Sequence, residues 1–172
     1  MARLERVLWL LGVVGAFAAG AAVFGARGSH VAPAGQSSEK NITGRSWLQW
    51  NERGRARAHR LDFKGAVEDF DQALVLNPTS AMLHNNRGGA LLSLGDLRGS
   101  LKEFDAAISL DPAYAEARLN RGQTRSDLGD WSGAIEDLEK ALALTDKSWA
   151  FRAFTIHRLD CAKGNHRKAR VY

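Results

Sequence analysis

The chain has 172 residues, 45% of them apolar and 25% charged, with a single cysteine, Cys161. These proportions exclude a wholly disordered chain, and one cysteine excludes an internal disulfide framework or a cysteine-based zinc cluster. The formal charge of +5 is unevenly placed: residues 1–46 carry five Lys/Arg against two Glu, residues 47–146 twelve against sixteen Asp/Glu, and residues 147–172 seven against one Asp. The body is therefore mildly acidic and lacks the electrostatic footprint of a nucleic-acid-binding surface, so no nucleic-acid partner is expected.

Residues 7–26 form an uncharged run of 20, bracketed by Arg3, Glu5, Arg6 and Arg27. That length spans a bilayer core. Two readings compete. The full length favours an uncleaved signal-anchor helix over residues 1–27, while small residues such as Ala18, Ala19, Gly20 and Ala21 offer cleavage points for a secretory signal peptide, which would release a secreted or periplasmic protein. Arg3 and Arg6 ahead of the run point to an N-terminus inside, so the expectation is a single-pass membrane protein with its body on the extracytoplasmic side. Gly12, Ala16 and Gly20 fall on one helical face, a pattern that permits self-association. Residues 28–46, rich in Gly, Ser and polar residues, read as a flexible linker.

From residue 47 the chain repeats itself every 34 residues without a gap. Arg53-Gly54 returns as Arg87-Gly88 and Arg121-Gly122. Asp62 returns as Asp96 and Asp130, Phe70 as Phe104 and Leu138, and Ala73 as Ala107 and Ala141. A period of this size signals a stacked array of supersecondary units, here 47–80, 81–114 and 115–148. Each unit reads as two helices of about 14 residues at helical apolar spacing. Ser46 and Gln49 resemble a capping box. Gly95-Asp96 reads as a stop followed by an N-cap, and Asp111-Pro112 is expected to cap and open the next helix. Gly54, Gly88 and Gly122 sit mid-helix, where glycine costs about 1 kcal/mol relative to alanine. Their recurrence at one phase implies a neighbour too close for a Cβ.

These residues resemble the tetratricopeptide repeat family, whose pattern runs Trp-x2-Leu-Gly-x2-Tyr, then Ala-x3-Phe, then Pro. The first unit gives Trp50, Gly54, Ala66, Phe70 and Pro78. The second gives Gly88, Phe104 and Pro112, and the third Gly122, Ala134 and Leu138. Arg53, Arg87 and Arg121 stand where the family has leucine. Arg57, Leu91 and Arg125 stand where it has tyrosine. The resemblance implies an all-α, right-handed helical solenoid of three repeats with a degenerate fourth, preceded by a single apolar N-terminal helix.

The fourth unit begins and fails. Gly164-Asn165 matches Gly129-Asp130 at a spacing of 35, so residues 149–162 are expected as a first helix, followed by a turn and a truncated partner. Residues 149–172 then act as a cap, as terminal repeats do. The aromatic content there (Trp149, Phe151, Phe154) also suggests a terminal docking patch for a partner or a second copy.

No catalytic constellation is present, so the chain reads as a non-enzyme without cofactor or metal. The five histidines lack ligand spacing, and His84 reads as a packed residue. Cys161 and His157 form an i, i+4 pair without a pocket. The acids Glu68, Asp69 and Asp71, and Glu136, Asp137 and Glu139, read as solvated outer faces. In a solenoid the first helices line the concave groove, and the resemblance selects Asn51, Arg55, Asn85, Asn86, Gly89, Leu119, Asn120 and Gln123 as groove residues. Asparagine amides there can hold an extended peptide by its backbone. The family's carboxylate-clamp members grip acidic chaperone tails with two lysines, two asparagines and an arginine. Here only Asn86 matches, the other positions holding Asn51, Arg55, Glu116 and Asn120. The expected function is a membrane-tethered scaffold that binds a protein or peptide. The alternative is a peripheral element whose basic run (Lys163, His166, Arg167, Lys168, Arg170) contacts anionic lipid or polyanion.

Overall fold

The 34-residue period becomes a row of helical hairpins. The structure, a computed structural model, describes residues 44–169. Among the described residues there are seven helices and no strand: α1 (Trp47–His59), α2 (Phe63–Leu76), α3 (Ala81–Ser93), α4 (Leu97–Leu110), α5 (Ala115–Asp127), α6 (Trp131–Ala143) and α7 (Arg152–Ala169). Helices α1 and α2, α3 and α4, and α5 and α6 pair within units, and α7 packs on α6. Each second helix also packs on the first helix of the next unit, and successive first helices touch one another. The result is a short solenoid. None of these helices is long and apolar enough to cross a membrane, and the uncharged run 7–26 lies outside the described residues.

Helix starts follow the expected chemistry. The Ser46 hydroxyl accepts from the Gln49 amide at 3.4 Å while the Gln49 side chain accepts from the Ser46 amide at 3.0 Å, closing the capping box. Asp62, Asp96 and Asp130 accept from the amides of Gly65, Gly99 and Gly133. The turns between paired helices share a Schellman pattern: Asp96 N donates to Leu91 O and Gly95 N to Leu92 O, and Asp130 and Gly129 do the same one unit later. That pattern needs a left-handed residue, which Gly95 (φ +84°) and Gly129 (φ +82°) supply. In the first unit the same place falls to Leu61, at φ +64°.

Within each unit a mid-helix glycine meets a large side chain of the second helix. A Cβ on Gly54 would lie 2.7 Å from Phe70 Cε1, and one on Gly88 would lie 2.6 Å from Phe104 Cε1. Both rings are almost fully buried, as are Ala66, Ala73, Ala107, Ala134 and Ala141. Small residues therefore set the helix spacing and aromatic rings fill it.

Two expectations need correction. Asp111 does not cap the helix that follows. It closes α4, its amide donating to Ala107 O and its carboxylate accepting from Ala113 N, and α5 begins only after Tyr114, which makes no side-chain cap. Nor does the chain turn at Gly164-Asn165. Helix α7 runs through both as one piece of 18 residues. The physical reason is that the segment after Asn165 is polar and basic, with no apolar stripe to bury against a returning partner, so continuing the helix satisfies its backbone at least cost. Thr155, Leu159 and Ala162, at helical spacing, are buried on one side, while Ala153, His157, Asp160 and Gly164 face solvent.

Candidate functional site: the inner face of the solenoid

The first helices α1, α3 and α5 are joined by a ladder of asparagines. Asn86 Nδ2 donates to Asn51 Oδ1 at 2.9 Å, and one unit on Asn120 Nδ2 donates to Asn85 Oδ1 at 3.0 Å. Asn51, Asn85 and Asn86 are 4–5% exposed, so these amides first of all pin one helix to the next. Asn85 Nδ2 also reaches the Tyr114 hydroxyl, at 3.5 Å. Burial, assisted by the nearby Glu116 carboxylate, pushes that hydroxyl well above its usual range and keeps it neutral.

Beside the ladder a small open cleft lies between α1, α2 and α3. Its walls are Arg55, Ala58, Asn86, Gly89, Ala90 and Ser93, over the rings of Phe63 and Phe70. The structure thus brings three groove residues expected from the sequence, Arg55, Asn86 and Gly89, to one feature. On α5 the stripe Glu116, Asn120 and Gln123 continues the same face at i, i+4 and i+7, all three partly exposed, whereas Leu119 is 4% exposed and belongs to the core of the third unit. The Trp149 indole donates to Glu116 at 3.4 Å. Sequence reasoning missed Ser93, Ala58 and Tyr114. Ser93 lies one helical turn from Gly89, which is the signal that would have found it.

Behind the inner face runs a network of ion pairs that overturns the reading of Asp69 and Asp137 as solvated, while Glu68, Glu136 and Glu139 are exposed as expected and Asp71 is partly so. Asp69 and Asp137 are each 1% exposed. Arg53 donates to Asp69 through Nε at 2.8 Å and Nη2 at 2.5 Å, and Arg121 holds Asp137 in the same two-pronged way, with Arg57 and Arg125 adding third contacts at 3.1 Å and 2.9 Å. These hydrogen bonds hold the Arg53 and Arg121 guanidiniums above their ordinary range. In the middle unit Glu103 takes the acid's place, bound to Arg87 at 2.7 Å and to His84 Nδ1 at 2.9 Å. The second His84 nitrogen lies 3.1 Å from Pro78 O, which makes His84 a packed residue. The arginines that replace the family's leucine are thus matched by acids at a constant spacing of 16 (53–69, 87–103, 121–137), and those that replace its tyrosine at 12 (57–69, 125–137). Both spacings are visible in the sequence.

The terminal aromatic residues Trp149, Phe151 and Phe154 lie packed against the core formed by Leu138, Ala141 and Leu159. Trp149 and Phe151 meet edge to face, 5.7 Å between centroids. In the basic run, Lys163 pairs with Glu139 at 2.8 Å, and the residues beyond 169 lie outside the described part. Cys161 Sγ sits 3.7 Å from His157 Nε2 on an exposed surface. Among the described residues, no cluster of three His, Cys, Asp or Glu could hold a metal ion.

Profiles described as "TPR repeat" and "Tetratricopeptide repeat" match residues 88–129 and 115–148. Over these residues the chain is similar to tetratricopeptide repeats. The repeat fold extends over the rest of the described chain. The Sgt2 TPR domain from Aspergillus fumigatus superposes with a TM-score of 0.69 at 22% identity, over 79% of this chain and 87% of that one. A T3SS complex from Aeromonas hydrophila gives 0.66 at 18%, over 70% and 83%. The second TPR domain of human RPAP3, solved with the HSP70 peptide SGPTIEEVD, gives 0.61 at 25%, over 67% and 93%. No curated protein matches the sequence. Structures of such different origin share this stack of hairpins.

Proposed function

We propose that the protein is a non-enzymatic adaptor that holds an extended peptide or protein segment along the inner face of its repeats. The observation that carries this reading is the cleft of Arg55, Asn86 and Gly89 set beside the asparagine ladder, in a fold whose human RPAP3 relative was solved with a peptide. Partly exposed amides of Asn120 and Gln123 extend the polar lining and suit backbone recognition. Residues 7–26 supply a membrane tether, with residues 28–46 as its leash. Alkaline extraction of membranes tests the tether, which predicts that the chain stays in the pellet.

A photo-crosslinking residue in place of Gln123 should trap a bound segment, whereas one in place of Val75, 74% exposed on a second helix, should not. Equal trapping from both positions would count against the groove.

A further inference from the structure

The edge at which first helices turn into second helices carries three features that do not help the chain fold. Its turns are Arg60–Asp62, Leu94–Asp96 and Leu128–Asp130, set side by side by the hairpin topology. Leu61, Leu94 and Leu128 are 56%, 42% and 45% exposed there, so each turn holds an apolar side chain in solvent. Leu61 sits at φ +64°, a conformation that strains an L-residue and that glycine adopts freely, yet a leucine stands there. Lys64 and Arg98 are the second residues of α2 and α4, where the positive end of the helix dipole favours an acid. Departures from local rules gather where a surface serves something besides folding.

We propose that this edge lies against an anionic lipid bilayer, with the three leucines in the interfacial layer and the cations on lipid phosphates. The contact goes beyond the groove and is separate from any span by residues 7–26. Charge complementarity selects the partner. Arg60, Lys64 and Arg98 are exposed, and among the described residues none of them is in an ion pair. The acids of the same turns face inward: Asp62, Asp96 and Asp130 accept from the amides of Gly65, Gly99 and Gly133. Helix α7 packs on α6 and touches α5 as the earlier first helices do, so its last turns bring the exposed Arg167 to this edge too. Apolar area combined with cations is what holds a protein to an anionic interface. The opposite edge also exposes leucines, Leu110 and Leu144, but beside the exposed acids Asp111 and Asp146, which an anionic surface repels.

The test uses the full chain carrying Cys161→Ser and one new cysteine labelled with a nitrobenzoxadiazole dye. It is mixed with vesicles of phosphatidylcholine, with or without phosphatidylglycerol, that contain a doxyl-labelled quencher lipid. A label at Ser132→Cys, on this edge, should be quenched at least threefold more than one at Thr79→Cys, in the turn between α2 and α3 on the opposite edge, and only where phosphatidylglycerol is present. Lys64→Glu with Arg98→Glu should abolish the difference, and so should Leu61→Gly with Leu94→Ser and Leu128→Ser. Acids suit a helix start and glycine relieves the turn at 61, so neither set should lower the urea midpoint, and lost quenching then reports lost contact rather than unfolding. Equal quenching at the two labels would overturn the proposal. So would quenching that ignores either set of changes; if the charges alone matter, the edge is a polyanion site instead. Alkaline washing of the same vesicles reads the tether by itself. A chain that washes off after quenching at 132 keeps the edge and loses the tether, and a chain retained with both labels unquenched does the reverse.

Discussion

Arg121 grips Asp137 through two parallel hydrogen bonds, of 2.8 Å and 2.5 Å, although the carboxylate is 1% exposed. Breaking a buried pair leaves a charge without compensation, a loss of about 3–5 kcal/mol, whereas removing both partners is often close to neutral. Arg125 remains 2.9 Å from the same carboxylate and softens the loss. Arg121→Met should therefore lower unfolding free energy by about 2–4 kcal/mol, and adding Asp137→Leu should restore at least half of it. A double-mutant cycle from urea unfolding reads both numbers.

Leu61 occupies, at φ +64°, the place that glycine takes in the next two repeats. A left-handed conformation costs an L-residue about 1–2 kcal/mol, and glycine returns part of that gain through its larger unfolded-state entropy. The Leu61 side chain is 56% exposed and contributes little burial. Leu61→Gly is expected to stabilise the chain by about 0.5–1 kcal/mol, seen as a higher urea midpoint with an unchanged slope.

Gly88 and Gly164 should respond oppositely to alanine. At Gly88 the new Cβ would sit 2.6 Å from Phe104 Cε1, and overpacking of this kind costs about 1–3 kcal/mol against about 1 kcal/mol gained in helix propensity. Gly88→Ala should lower stability. Around Gly164 nothing lies within 4 Å of a Cβ, so Gly164→Ala should gain about 0.5–1 kcal/mol. A loss at Gly164 would mean that the chain turns there after all.

Asp146 lies in the turn before α7, where its carboxylate accepts from the Ser148 hydroxyl at 2.6 Å and amide at 2.8 Å. These bonds hold its carboxyl below the ordinary value of 3.8. A depressed pKa contributes stability above the unfolded value and loses it as pH falls through the folded one. Two-dimensional NMR of the Ser148 amide should therefore titrate below pH 3.8. The stability difference between the parent and Asp146→Asn should be present at neutral pH and vanish in acid.

The repeat, its caps and its close-packed glycines were legible because each depends on residues near in sequence, and a 34-residue period repeats that local information. Asp111 was misread because an Asp before a proline looks like an N-cap, while the three-residue step from Asp111 to Tyr114 is set by how α5 docks. Glycine and asparagine at 164–165 carry a turn signal, yet a turn forms only where the following segment has a face to bury. The acids Asp69 and Asp137 looked solvated because their neighbours at 68, 71, 136 and 139 are at least partly exposed. What buries them is a pair of arginines 12 and 16 residues upstream. Groove positions followed from the phase of the helices, but the hydrogen bonds that tie Asn51 to Asn86 depend on how two units stack, which no single unit records.

Arg87 has one further consequence. Its guanidinium lies 2.7 Å from Asp71 of the preceding repeat and 2.7 Å from Glu103 of its own, and Arg121 spans Asp105 and Asp137 in the same way. The joint between repeats therefore rests partly on exposed ion pairs, while the ion pairs inside each repeat end on buried or nearly buried acids among its rings and alanines. In a quasi-one-dimensional array, cooperativity depends on the balance of those two energies, and ions screen chiefly the first, acting most on the exposed Asp71 and Asp105 ends. Raising salt should loosen the coupling more than the units, so the melting transition broadens as it shifts.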